Sequence, residues 1–236
     1  MDTQSNSTGF DLPRYLSLLP LFQEMNAEEL QRLAAGCSLN RLSRGEMVFR
    51  FGEPCEAFHI MVTGQVKLFA LSPAGHEKVI EIVGSGQSFA EALMFSGRDY
   101  IVSAQALADS LLVSVSKEAV LAEVGHDPRF ALRMLAGISR RLHGLVRDLQ
   151  ANALDSGAQR VIGYLLRDQS VEESSNSQVF TVSLPVSKAT IASRLSLTPE
   201  YFSRVLHDFE AAGLIRIDKR EIEILDAKRL VNYRPP

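Results

Sequence analysis

Residues 198–204 read Thr-Pro-Glu-Tyr-Phe-Ser-Arg, and four side chains in this stretch have the chemistry of base-edge recognition. Arg204 carries a planar fork of donors that matches the O6 and N7 acceptors of guanine, and Glu200 can accept from the N4 amino group of cytosine. The two are four residues apart, so on a helix they share a face, with Ser203 beside them and Tyr201 following Glu200. The same spacing also suits an ordinary helix-stabilising surface pair, worth about a few tenths of a kcal/mol. Lys188, Arg194 and Thr198 are donors suited to phosphate oxygens, contacts that add affinity but little sequence information.

Local signals position these groups. Ser187 caps a short helix running to Leu195, which buries Ile191 and Leu195, and Ser196-Leu197 makes a tight turn. Thr198 is the N-cap of a second helix, Pro199 its N1 residue and Glu200 a favourable first-turn acid. Phe202, Val205, Leu206 and Phe209 form its buried stripe, and Gly213 ends it. Residues 214–217 and 221–224 then alternate as a hairpin. Helix, turn, helix and hairpin make a winged helix-turn-helix, in which the first turns of the second helix face the major groove.

Upstream, Asp127-Pro128 opens a long helix, with no further proline until Pro185. Leu135, Ile138, Leu142, Leu145 and Leu149 step by 3, 4, 3 and 4, the seam of a parallel helix dimer, and Arg140, Arg141, Arg147 and Asp148 lie off it. The alternative is an ordinary amphipathic helix packed on its own domain. Residues 155–168 read as a further helix, 170–177 as a polar loop and 179–184 as a short strand.

The front of the chain has another rhythm. A polar tail of about ten residues precedes helical spacing over 12–35, interrupted at Pro20 and restarted by the cap Asn26 with Glu28 and Glu29 behind it, then stopped at Gly36. From Leu39 to Val115 the period becomes two: Met47, Phe49 and Phe51; Phe58, Ile60 and Val62; Val66 and Leu68; Ile80 and Ile82. Glycines at 45, 52, 64, 75, 84 and 86 punctuate these runs, which indicates an antiparallel sandwich or barrel of the kind that commonly encloses a small-ligand pocket.

Charge separates the same two regions. Residues 1–126 hold nine Lys and Arg against fifteen Asp and Glu, and residues 127–236 hold sixteen against thirteen. An acidic front and a basic back suit a sensing part joined to a part that meets a polyanion. Two cysteines, Cys37 and Cys55, exclude a disulfide scaffold and a Cys-only metal or iron–sulfur site within one chain. No leader pattern and no apolar run of about 18 residues is present, so the expectation is a cytoplasmic protein without a membrane partner. Glu91 with His59 or His76 offers an acid and a base, but no nucleophile motif, Walker loop or dinucleotide fingerprint accompanies them, and an enzyme is not expected.

Both halves resemble the CRP/FNR superfamily of transcription regulators over nearly the whole chain. Glu200-x-x-Ser203-Arg204 is similar to the recognition signature of its FNR-type members. The front resembles their cyclic-nucleotide-binding-type β-roll at Leu42-x-x-Gly45-Glu46, Gly52-Glu53, Gly64-x-Val66-Lys67 and Phe89-Ala90-Glu91-Ala92-Leu93-Met94-Phe95. The strings GHEKVIEI, AEALMF and YIVSAQA resemble the Dnr branch, regulators of denitrification that respond to nitric oxide.

The resemblance implies an α+β fold: an N-terminal β-roll (jelly roll) with leading helices over 1–126, a dimerisation helix over 127–152, and a winged helix-turn-helix over 153–236. It also implies a homodimer on double-stranded DNA with TTGAT-like half-sites, and RNA polymerase as a partner. Cyclic-nucleotide binders of the family use a Gly-Glu pair and then Arg with a small hydroxyl residue. Here Ala90 precedes Glu91, and Tyr100 and Ile101 stand at the other two positions, so a bound phosphate would lack its guanidinium partner. The N-terminal cysteine group of the iron–sulfur members is missing too. The Dnr likeness implies haem, with His59, His76 and His143 as candidate axial ligands and His126 and His207 as the remaining histidines. The effector pocket is expected around Ala90, Glu91, Leu93, Phe95, Tyr100, Ile101 and Met134, where the roll meets the long helix.

Overall fold

Residues 10–166 and 179–234 are described by a computed structural model. The polar loop expected at 170–177, the end of the helix at 168 and most of the N-terminal tail lie outside the described residues. By contact the chain falls into two units, one holding the chain up to Leu68 together with Ile82–Leu142, the other Phe69–Glu81 together with the chain from His143. The sequence marks boundaries at 126 and 152 instead; the contact division passes through the long helix and groups the hairpin at 69–81 with the C-terminal unit.

In the first unit, Asp11 caps helix α1 (Leu12–Ser17) and Asn26 caps α2 (Ala27–Ala35) through a full capping box with Glu29, and Gly36 ends α2. Eight strands follow: β1 (Cys37–Leu42), β2 (Met47–Phe49), β3 (Ala57–Thr63), β4 (Gln65–Leu71), β5 (Glu77–Gly84), β6 (Ser88–Phe89), β7 (Ser103–Ala106) and β8 (Ser110–Ser116). They pair as two four-stranded sheets, β1-β8-β3-β6 and β2-β7-β4-β5. Phe58, Phe89 and Val113 from one sheet and Phe49, Val66 and Ala104 from the other share one buried core, as a jelly roll requires.

Three strand readings change. Strand β2 ends at Phe49, so Phe51, expected to alternate with it, lies beyond the strand and is exposed. Phe58, His59, Ile60 and Met61 are all buried, so β3 does not alternate between core and solvent. The α1–α2 segment covers this strand, its Tyr15 hydroxyl donating to the Met61 carbonyl at 2.9 Å. In β5 the buried residues are Val79, Ile82 and Val83, and Ile80 is exposed.

Helix α3 (Glu91–Ser96) interrupts the roll, and Ser116 caps α4 (Lys117–His126). Helix α5 (Pro128–Leu154) begins as expected, with the Asp127 carboxylate accepting from the Arg129 amide at 3.0 Å. Phe130 and Met134 on α5 enter the core of the first unit. Arg32 forms a forked pair with the buried Glu123 of α4, 2.9 Å at the shorter contact.

The second unit contains α6 (Gly157–Leu166), β9 (Phe180–Ser183), α7 (Lys188–Arg194), α8 (Pro199–Ala211), β10 (Ile215–Asp218), β11 (Glu221–Ile224) and α9 (Ala227–Val231). Strands β10, β11 and β9 pair antiparallel, so the wing is a three-stranded sheet. Val161, Ile191, Phe202, Leu206, Ile222 and Leu230 are buried in its centre. Among the described residues no helix is long and apolar enough to cross a membrane.

Candidate nucleic-acid interface

Ser187 accepts from the Thr190 amide at 3.1 Å to start α7, and Thr198 accepts from the Tyr201 amide at 3.2 Å to start α8. Between them Ser196 adopts a left-handed φ of 57°, which turns the chain sharply enough for the two helices to pack. On α7 the buried pair is Ile191 and Ala192; Leu195, expected in the core, is only half-buried. On α8, Phe202, Val205, Leu206 and Phe209 are buried, which leaves the opposite face to solvent.

That open face carries Glu200 and Arg204, both exposed, with Ser203 half-buried beside them. No ion pair joins Glu200 to Arg204 among the described residues. The Arg204 guanidinium lies instead over the Tyr201 ring, 4.8 Å from its centroid. Tyr201 is half-buried, and its ring sits against Gly157 at the start of α6.

The phosphate candidates divide. Lys188 is half-buried at the first position of α7, the Thr198 hydroxyl is engaged in its cap, and Arg194 pairs with Asp148 at 3.0 Å. A further cation stands at the turn, brought there from a distant part of the chain. Lys78, on the hairpin grouped with this unit, donates to the carbonyls of Ser193 and Arg194 (3.0 Å to the latter) and to the Ser196 hydroxyl at 2.8 Å. The Val79 amide donates to the Ser193 hydroxyl at 3.0 Å. An ammonium at the C-terminus of α7 satisfies its last carbonyls and opposes the negative end of the helix dipole. Burial, with Arg160 and Arg194 nearby, lowers the Lys78 pKa.

In the first unit, the residues expected at the effector pocket differ in burial. Tyr100 and Met134 are buried in the core, Leu93 and Ala90 pack partly against it, and Phe95 and Ile101 are exposed. Glu91 accepts from the Ser88 hydroxyl and lies 3.6 Å from Arg141 of α5, whose guanidinium also donates to the Ser88 carbonyl at 2.5 Å. Arg141, placed off the seam by its spacing, therefore ties α5 to the start of α3.

His59 is enclosed. It stacks near Phe49 and lies tilted against Phe89, with ring centroids 5.6 and 5.2 Å away, and Tyr100 stacks on Phe49 at 3.6 Å. Its Nδ1 is 2.8 Å from the Ser114 hydroxyl and its Nε2 is 3.3 Å from the Tyr100 hydroxyl. Asn40 donates to Ser114 at 2.8 Å and Tyr100 donates to the Ala57 carbonyl at 3.0 Å. Those two bonds set the rest: Ser114 donates to Nδ1, and Nε2–H donates to Tyr100. The ring is neutral in this chain of bonds, and burial lowers its pKa to about 4.

With both nitrogens engaged, His59 does not fit an axial ligand. His76, at the hairpin tip, and His143, on α5, are both exposed. Among the described residues no three His, Cys, Asp or Glu side chains gather to hold a metal ion.

A family model for the cyclic nucleotide-binding domain matches residues 39–127, and one for the Crp-like helix-turn-helix domain matches residues 159–233. The crystal structure of DNR from Pseudomonas aeruginosa is 35% identical, covering 99% of this chain and 100% of that one, with a TM-score of 0.51. FixK2 from Bradyrhizobium japonicum shares the fold, with a TM-score of 0.72 at 22% identity, over 83% of this chain and 96% of that one. The CRP-like cAMP-activated global transcriptional regulator of Mycobacterium tuberculosis is 24% identical over 210 residues, 89% of this chain and 94% of that protein.

Proposed function

The chain belongs to the CRP/FNR family of DNA-binding transcription regulators, and we propose that it acts as a homodimer on palindromic DNA with TTGAT-like half-sites, under control of nitric oxide received through haem. The observation that carries the DNA reading is the first two turns of α8. The Thr198 cap and the buried stripe fix the helix, and Glu200, Ser203 and Arg204 lie on its open face.

The homodimer is supported by α5. Leu135, Leu142, Leu145 and Leu149 are exposed and Ile138 is half-buried, at the 3-4 spacing that a second copy of the helix would cover. Two such protomers would present their α8 helices to successive major grooves about one turn apart. Contact with RNA polymerase is an expectation carried by the family.

The effector reading rests on the likeness to the Dnr branch and on the 35% identity to DNR. Haem, when bound, supplies an iron that takes nitric oxide. Of the residues named for it, the exposed His143 suits an iron ligand better than the enclosed His59. A cyclic nucleotide is disfavoured by chemistry: Glu91 is already paired with Arg141, and the positions where the phosphate partners would stand hold a buried Tyr100 and an exposed Ile101.

The test is fluorescence-anisotropy titration on a TTGAT palindrome and on a scrambled duplex, repeated with haem and nitric oxide and with cyclic AMP. Preference for the palindrome, a saturable Soret band and a nitric oxide-dependent change in affinity support the reading. Binding switched by cyclic AMP replaces the effector, and no palindrome preference under any condition removes the DNA assignment.

A further inference from the structure

We infer that Tyr201 does not read bases but is a positioning residue that holds the Arg204 guanidinium for guanine recognition, with Gly157 as the floor beneath its ring. The inference rests on the DNA reading above and assigns Tyr201 a different role from the base contact that its place in the motif suggests.

Three observations meet at this ring. Tyr201 is three residues before Arg204, so the two side chains lie on one side of α8. The guanidinium carbon is 4.8 Å from the ring centroid, within cation–π range. A Cβ built on Gly157 would stand 2.4 Å from Tyr201 Cε1 and 2.9 Å from its Cζ, so any larger residue there would displace the ring. The backbone of α6 therefore supports the aromatic face, and the aromatic face supports the arginine.

This support has a competitor to overcome. Glu200 and Asp208 both lie four residues from Arg204, at the spacing of helix ion pairs. Neither pairs with it among the described residues. An arginine folded onto either carboxylate would have its donors occupied, whereas one resting on a π-face keeps its in-plane N–H groups available for a bidentate contact with O6 and N7. Losing the ring would let the side chain wander over rotamers that do not match guanine.

The experiment compares the full-length wild type with Tyr201→Phe, Tyr201→Leu, Gly157→Ala, Arg204→Ala and the double variant Tyr201→Leu/Arg204→Ala. Binding is measured by anisotropy on the TTGAT palindrome and on the same duplex with TTAAT half-sites, with melting curves as a fold control. Tyr201→Phe should stay within about twofold of the wild type because it keeps the ring face. Tyr201→Leu and Gly157→Ala should each lose roughly five- to twentyfold on TTGAT, two half-sites being affected, and little on TTAAT. The double variant should match Arg204→Ala within about twofold, because without the arginine the ring has nothing to position.

Equal losses for Phe and Leu, or a loss from Tyr201→Leu that persists without Arg204 or on TTAAT, would assign Tyr201 its own DNA contact or a purely structural role and overturn the inference. A wild type that does not distinguish the two duplexes would instead bring down the DNA reading, and this inference with it.

Discussion

The carboxylate of Glu91 stands 3.6 Å from the guanidinium of Arg141, joining the helix that interrupts the roll to the long helix. In a nucleotide-binding member of the fold an acid at this position would face a ligand; here it faces a side chain. Ser88 completes the arrangement, its hydroxyl donating to Glu91 and its carbonyl accepting from Arg141. Both ionic side chains are largely covered, 12% exposed for Glu91 and 24% for Arg141.

Glu91→Gln should therefore cost about 1 kcal/mol of stability, and Arg141→Met more, since it also abandons the Ser88 carbonyl. Urea unfolding of the two single variants and the double variant would show a coupling of a few tenths of a kcal/mol or more. Additive losses would mean that the pair has no energetic link.

His59 gives a pH dependence with a defined sign. Its pKa falls from the ordinary 6.5 to about 4 on folding, so the unfolded chain takes up the proton first. The stabilisation is whole above about pH 6.5, declines as the pH falls, and is gone below about pH 4, a change of about 3 kcal/mol. His59→Gln lacks this titration. Urea midpoints at pH 7.5 and 4.5 should thus converge between wild type and variant as the solution is acidified, and parallel losses would contradict the buried neutral ring.

Lys78 binds the end of α7 from a hairpin more than a hundred residues earlier in the chain. Lys78→Met leaves two carbonyls and a hydroxyl without their cation. Amide exchange at Ser196 and Leu197, whose N–H groups close the turn onto Ser193 and Ala192, should accelerate by about tenfold or more, while the exchange of β1 and β8 is unchanged. Unaltered exchange at the turn would show that the contact is dispensable.

On DNA, Arg204→Ala should cost about 1–3 kcal/mol per half-site on the specific duplex and relax discrimination at guanine. Lys188→Ala should weaken specific and scrambled duplexes alike and lower the salt slope by about two, one phosphate contact being lost from each protomer. Arg194→Ala should do less than Lys188→Ala if Asp148 keeps Arg194 paired when DNA binds. Isothermal titrations over a range of salt concentrations separate these three outcomes.

What the sequence discloses follows the range of the interaction. The caps at Asn26, Asp127, Ser187 and Thr198 join residues two or three apart, so type and spacing were enough to place them. The stripe on α8 and the run of α5 were legible for the same reason, as was the β-roll from its glycine punctuation. Helix α3 has no local signal because its N-cap position is Ala90, a left-handed residue with no side-chain cap, and α4 has no amphipathic stripe because its apolar residues are spread around its circumference.

The rest depends on partners that meet only after folding. His59 acquires its bonds because the register of β3 and β8 sets it opposite Ser114, 55 residues away. Tyr201 turns toward Gly157 because α6 packs behind α8. Neither relation has a local signature, so the sequence alone presents His59 as a candidate axial ligand and Tyr201 as a candidate base reader.

The most direct measurement is sedimentation velocity of the protein with a fluorescent TTGAT palindrome, under the effector condition that gives the tightest binding. Two protomers per duplex, lost in favour of monomer when Leu149 is replaced by Glu, is the result expected of paired α5 helices presenting paired α8 helices. A single protomer per duplex, or a dimer that survives Leu149→Glu together with Leu142→Glu and binds as before, would contradict it.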